Sequence, residues 1–190
     1  MKKSKPAVPK ADPRIILQHW QVEGFDDRLA HLIKDATRAL VRAMQIRLIE
    51  YGVSFGHWTF LRILWETDGL TQRALSEQAG VMEPTTYAAL MAMEKLGYIT
   101  RRQLPENKKN VYIHLTPAGR ALKSKLVPLA IEVNEISVQG MKESDINATR
   151  KVLLAIIKNL AADEIESASE KRRMPSTREL GQFVTKTKRP

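Results

Sequence analysis

Between Gly52 and Pro117 the chain is cut into short lengths by residues that stop or start helices, and this punctuation narrows the folds open to it. Gly52 closes one amphipathic stretch, and Asp68-Gly69 closes a second that runs from His57 to Glu66. Thr71 is an N-cap type and Gly80 a stop, so a short third helix lies between them. Glu83-Pro84 opens a fourth, with Leu90 and Met93 on its inner stripe and Tyr87 a borderline member, and Gly97 ends it. Residues 98–104 and 111–115 are rich in β-branched and aromatic types and predict two strands, joined by the polar turn 105–110. Thr116-Pro117 then restarts a helix. Helix, short helix, turn, helix and hairpin is the order of a winged helix-turn-helix.

Long amphipathic helices flank this unit. Leu29, Leu32, Ile33, Ala36, Leu40 and Met44 recur at three- and four-residue steps, one stripe down a helix of about 25 residues from Phe25. Leu122, Leu126, Leu129, Val133 and Ile136 form a heptad-like seam, within which Pro128 is expected to kink the helix. A last helix is expected from Ser144 to about Ile165, carrying Ile146, Val152, Leu153, Ile156, Ile157 and Leu160. The fold class is therefore mainly α: a winged helix-turn-helix with a two-stranded wing, flanked by long dimerisation helices. Its expected divisions are a basic leader (1–24), a dimerisation helix (25–52), the DNA-binding domain (53–116), two C-terminal dimerisation helices (117–165) and a basic tail (166–190). The flanking stripes are more than the winged unit can cover, which marks a partner surface. The economical partner is a second copy, because a two-fold dimer presents reading heads about one DNA turn apart, roughly 10–10.5 bp.

The formal charge of +10 has to be located before it is used. Residues 1–10 contribute +4 and residues 171–190 contribute +6, so residues 11–170 sum to zero. The excess lies in the tails, which attract polyanions without sequence preference or simply solubilise. Locally, Arg101, Arg102, Lys108 and Lys109 against Glu106 give the hairpin a net +3. Strand alternation allows only one of Arg101 and Arg102 to face DNA, and Arg73 at the start of the third helix is placed to hold a phosphate.

Other classes of chemistry find little support. With 0 cysteines there are no disulfides, thiolate metal sites, Cys nucleophiles or thiol redox sensors. Neither a Walker pattern nor GxGxxG occurs, and His19, His31, His57 and His114 lack HxxxH spacing. No enzyme activity, cofactor or metal is expected. The longest apolar run, Val152 to Ile157, is too short to span a bilayer, and no signal core follows the basic N-terminus, so a soluble cytoplasmic protein without membrane association is expected.

Taken in order, Leu70-Thr71-Gln72-Arg73-Ala74-Leu75, then Met93-Glu94-Lys95-Leu96-Gly97-Tyr98-Ile99 with Arg101-Arg102, then Leu115-Thr116-Pro117-Ala118-Gly119-Arg120 resemble the MarR family of bacterial transcription regulators. The resemblance covers about residues 25–165. It implies an obligate dimer with interlocked terminal helices and sequence-specific binding of double-stranded DNA at palindromic operators. It also implies repression as the usual mode, often relieved by a small aromatic acid or related carboxylate ligand. Two departures stand out. Asn107 and Lys109 occupy the places of the family's Asp-x-Arg pair in the wing, which predicts a more mobile but still cationic tip. The recognition helix reads Pro84-Thr85-Thr86-Tyr87-Ala88-Ala89 and lacks the arginines many members carry there, so bidentate guanine reading is unavailable from it. Thr85, Thr86 and Tyr87 can donate to phosphates or bases and Ala88 can meet a thymine methyl, which predicts an AT-rich half-site helped by shape readout.

In the family, effectors often lodge between the dimerisation helices and the DNA-binding lobe. Here that junction offers His57 and Trp58, with His31, Arg38 and Arg42 one helix away, a cation-lined apolar site suited to a carboxylate. The same residues serve equally well as a core tryptophan, a hydrogen-bonded histidine and solvent-facing arginines. Two rival functions also stand: a winged-helix protein–protein adaptor whose tails bind nucleic acid non-specifically, and an RNA-binding module, which the lack of an exposed aromatic cluster disfavours.

Overall fold

Side-chain caps open three of the helices in the computed structural model, which describes residues 29–105 and 107–170. Helix α1 spans Leu29–Leu48 and runs into a 3-10 turn, Ile49–Tyr51, before Gly52. Ser54 Oγ accepts the His57 N–H and starts α2, Phe55–Glu66. Thr71 Oγ1 accepts the Ala74 N–H and starts α3, Gln72–Ala79, which stops at Gly80. Helix α4 is Glu83–Lys95 with Pro84 in its first turn. Thr116 Oγ1 accepts the Gly119 N–H at the head of α5, Pro117–Ser137, and α6 is Glu143–Ser169. Phe25 and the expected leader and tail beyond 170 lie outside the described residues, although α6 extends four residues past Ile165. Helix α5 continues through Pro128.

A small antiparallel sheet has the order β1–β3–β2, with β1 Leu70–Thr71, β2 Ile99–Leu104 and β3 Asn107–Leu115. Two departures from the sequence reading sit here. Strand β1 pairs Leu70 with Ile113 and Thr71 with Tyr112, and two residues are too few to show alternation. Strand β3 begins at Asn107, because Asn107 pairs with Leu104 across the end of the hairpin despite the polar composition there. The core beneath is built from α1, α2, α3, α4, the sheet and α5, with Leu48, Leu61, Leu75, Leu90, Ile113 and Leu126 fully buried.

The junction between wing and α5 is held by Asp68. Its Oδ1 accepts the N–H groups of Leu115 at 2.8 Å and Gly69 at 3.0 Å, and its Oδ2 accepts Arg120 Nη1 at 2.7 Å. Arg120 Nη2 also donates to the Leu115 carbonyl. Burial works to raise the Asp68 pKa, but the Leu115 N–H, the Arg120 guanidinium and the Gly69 N–H outweigh it and hold the carboxyl below its ordinary value. Gly69 has φ +79° and a Cβ there would press on the His114 ring, so the turn requires glycine. Gly119 is needed for a different reason: a Cβ would collide with the Tyr98 carbonyl oxygen. That carbonyl accepts the Thr116 N–H at 3.0 Å, and Trp65 Nε1 donates to the Gly119 carbonyl at 2.9 Å.

Two tests follow from this junction. Gly119→Ala is expected to destabilise the protein by about 2–4 kcal/mol in urea titrations, since backbone rather than a mobile side chain must yield. Asp68 has a depressed folded pKa, so its contribution is complete above the unfolded value near 3.9 and is lost as pH falls through the lower folded value. Asp68→Asn is therefore expected to be less stable than wild type at neutral pH, with the difference shrinking below about pH 4.

Candidate nucleic-acid interface

Two hydroxyls set the pitch of α4 against α3. Ser76 Oγ donates to the Val81 carbonyl at 2.6 Å and lies 3.0 Å from Thr86 Oγ1, which in turn is 3.3 Å from the Met82 carbonyl. Thr86 is 0% exposed, so its expected contact with DNA is corrected: the side chain faces the protein interior. The reason is periodic. Thr86, Leu90 and Met93 fall at i, i+4 and i+7 and form the buried stripe, which displaces Tyr87 outward to 49% exposure.

Thr85, Tyr87 and Ala88 are exposed on the outer face of α4, beside Met91. Arg101 does not reach out from the wing. It lies against α4, with its guanidinium 5.3 Å from the Tyr87 ring centre and its Nε 3.7 Å from Glu94. Arg102, on the opposite face of β2, is exposed. Lys108 and Lys109 lie on β3 near the hairpin end, and their side chains are outside what is described. Arg73 is exposed at the start of α3 and paired with Glu77 at 2.9 Å; the hydrogen bond to Glu77, its charge and that of Glu83 raise the Arg73 pKa.

At the junction of α2 with its neighbours, Trp58 is buried and packs edge-on to Trp65 at 5.6 Å. Two clefts flank it. One of about 620 Å³ is lined by Thr59, Gln78 and Lys123, and one of about 240 Å³ by Leu40, Val133 and Asn134; Phe55, Trp58 and Arg62 line both. The structure thus gathers Trp58 with Arg62, whose guanidinium is 5.8 Å from the indole, and not with the expected cations. None of His31, Arg38, Arg42 and His57 lines either cleft. His57 is held below its ordinary pKa by burial, and its Nδ1 has no hydrogen-bond partner among the described residues. Arg62 was legible in principle, since it stands one turn from Trp58 at i+4.

The flanking helices leave apolar surface open. No residue of α6 is buried, and Leu154, Ile157, Leu160 and Ile165 are all at least 63% exposed. A groove of about 660 Å³ between α1 and α6 is lined by Leu32, Ile33, Leu40, Met141, Val152 and Leu153. No described helix is long and apolar enough to cross a membrane, and the described residues hold no cluster of metal-ligating side chains.

Comparison with known proteins agrees with this geometry. A model of the MarR family matches residues 53–111, from the start of α2 into β3. The organic hydroperoxide resistance transcriptional regulator of Bacillus subtilis is 26% identical over 136 residues, 72% of this chain and 91% of that protein. A MarR family transcriptional regulator from Listeria monocytogenes, solved in complex with a 26mer DNA, superposes with a TM-score of 0.66 at 25% identity, covering 79% of this chain and 99% of that one. The transcriptional regulator SlyA superposes with a TM-score of 0.66 at 26% identity, covering 72% and 96%.

The buried hydroxyl pair yields a test of how α4 is held. Thr86→Val keeps the shape and removes the hydroxyl, and is expected to cost about 1 kcal/mol in unfolding free energy. Equal stability of the two proteins in urea titrations would show that the pair contributes nothing.

Proposed function

We propose that the chain is a transcription regulator of the MarR family, as the family match over residues 53–111 and the similar regulators support, and that it acts as a homodimeric repressor on palindromic DNA operators. The observation that carries this reading is the face of α4: Thr85, Tyr87 and Ala88 stand exposed on a helix pinned from behind by Ser76 and Thr86. The relative from Listeria monocytogenes, complexed with DNA, has the same fold over nearly its whole length. Arg73, Arg101, Lys108 and Lys109 supply the surrounding positive charge, and the neutral helix face favours AT-rich half-sites. The domain divisions expected from the sequence, with reading head 53–116 between dimerisation helices, fit this assignment.

Dimerisation is supported by the open apolar faces of α1 and α6, which a second copy would cover. For the effector, the cleft walled by Trp58 and Arg62 suits a small aromatic carboxylate: the indole offers a stacking face and the guanidinium a two-pronged anion contact. Such a ligand acts only through differential affinity for two arrangements of the dimer, by holding the reading heads at a separation that mismatches the half-sites. Thiol-based oxidant sensing is no part of this reading, because the sequence has 0 cysteines.

The experiment is selection of genomic DNA fragments by the purified full-length protein at moderate salt with competitor DNA. Recovered sequences are expected to share a palindrome with half-sites about one turn apart, roughly 10–10.5 bp. Removing residues 171–190 is expected to weaken all binding but preserve the motif, since that segment carries +6 without a reading element. Recovery without any common sequence, abolished by removing the tail, would favour the adaptor reading instead.

A further inference from the structure

The exposed face of α4 carries no cation. Pro84, Thr85, Tyr87, Ala88 and Met91 are neutral, and the helix's single basic residue, Lys95, stands in the last turn. Duplex DNA is a dense polyanion, and a helix entering its major groove without a positive group releases no counterions of its own.

The hairpin delivers a cation to that face. Tyr87, Met91 and Glu94 fall at i, i+4 and i+7, one stripe of α4 turned toward β2. Arg101 lies along this stripe. The Glu94 carboxylate holds it twice, accepting its backbone N–H at 3.2 Å and lying 3.7 Å from its Nε. Its Nη1 is 2.6 Å from the Met91 sulfur, and the guanidinium stands over the Tyr87 ring. A guanidinium has five N–H donors, and a thioether is a weak acceptor. Nε, although buried, forms no hydrogen bond among the described residues. The group is therefore fixed in orientation while most of its donor capacity is unused.

We propose that Arg101 is the phosphate-binding cation of the recognition helix, delivered from the wing strand, oriented by the Tyr87 ring and tethered by Glu94 until DNA arrives. Glu94 is a positioning residue: it acts on DNA through Arg101. A backbone phosphate is the fitting partner because Arg101 lies on the flank of α4, between Tyr87 and Glu94, whereas bases are read from the helix's N-terminal turns. The assignment rests on the DNA-binding reading above and adds to it the source of the missing charge.

The test measures affinity of the full-length protein for a selected operator and for a random duplex across a series of salt concentrations. Arg101→Met is expected to weaken both by a similar factor, about threefold to tenfold, and to reduce the slope of log K against log salt by about 0.9. Arg101→Lys retains the charge and is expected to keep the wild-type slope. Glu94→Gln is expected to tighten binding to both duplexes and to lose that effect in the Arg101→Met background, which a purely structural Glu94 would not do. Arg101→Gln replaces Arg101→Met if the latter does not give the wild-type circular dichroism spectrum. An unchanged slope in the charge-free variant overturns the proposal, and so does a loss confined to the operator, which would mean a base contact. Absence of salt-dependent duplex binding by the wild type would instead overturn the DNA-binding reading itself, and this inference with it.

Discussion

A single carboxylate, Asp68, joins three parts of the chain that are far apart in sequence. It closes the turn after α2, receives the last N–H of β3 and anchors the first turn of α5 through Arg120. Burial alone would favour its neutral form, and the converging donors reverse that preference. Thr116 reinforces the same joint: its backbone N–H and hydroxyl both reach the Tyr98 carbonyl, and its oxygen caps α5. Gly119 lets the start of α5 approach the Tyr98 backbone directly, where the chain passes from α4 into the wing. Within Leu115-Thr116-Pro117-Ala118-Gly119-Arg120, the residues Leu115, Thr116, Gly119 and Arg120 thus each answer a distinct physical requirement.

Much of this order was legible because caps and stops act locally. Thr71 and Thr116 cap in the structure as their chemistry demands, and the helices they open have the expected extents. The misplaced features depend on what lies across space. Strand β1 is only two residues long and exists because β3 offers it an edge. Thr86 reads as polar and therefore outward, yet a partner hydroxyl on Ser76 lets it sit in the core at no cost in unsatisfied groups. Tyr87 moves outward for the same geometric reason. Beside Trp58 the neighbouring cation is Arg62 of the same helix, one turn on, whereas Arg38 and Arg42 of α1 line neither cleft, a placement set by how α1 packs on α2 and not by local sequence.

Neutrality over residues 11–170 has a structural counterpart. Around the interface and its supports, arginines are paired with carboxylates of the same chain: Arg73 with Glu77, Arg101 with Glu94, Arg120 with Asp68 and Arg47 with Glu132. A phosphate approaching Arg73 or Arg101 competes with an anion already in place. The Arg73–Glu77 pair is exposed and so competes mildly, whereas Arg101 and Glu94 are partly buried and hold each other more firmly. Under the DNA-binding reading, such pairing would lower affinity for any duplex that offers phosphates alone and leave more of the binding to groove shape and base edges.

Phe55, Trp58 and Arg62 line both of the clefts beside α2. The two spaces are consequently not independent receptors. A substitution at any of the three changes the lining of both spaces at once, so neither cleft can be reshaped through this wall without altering the other.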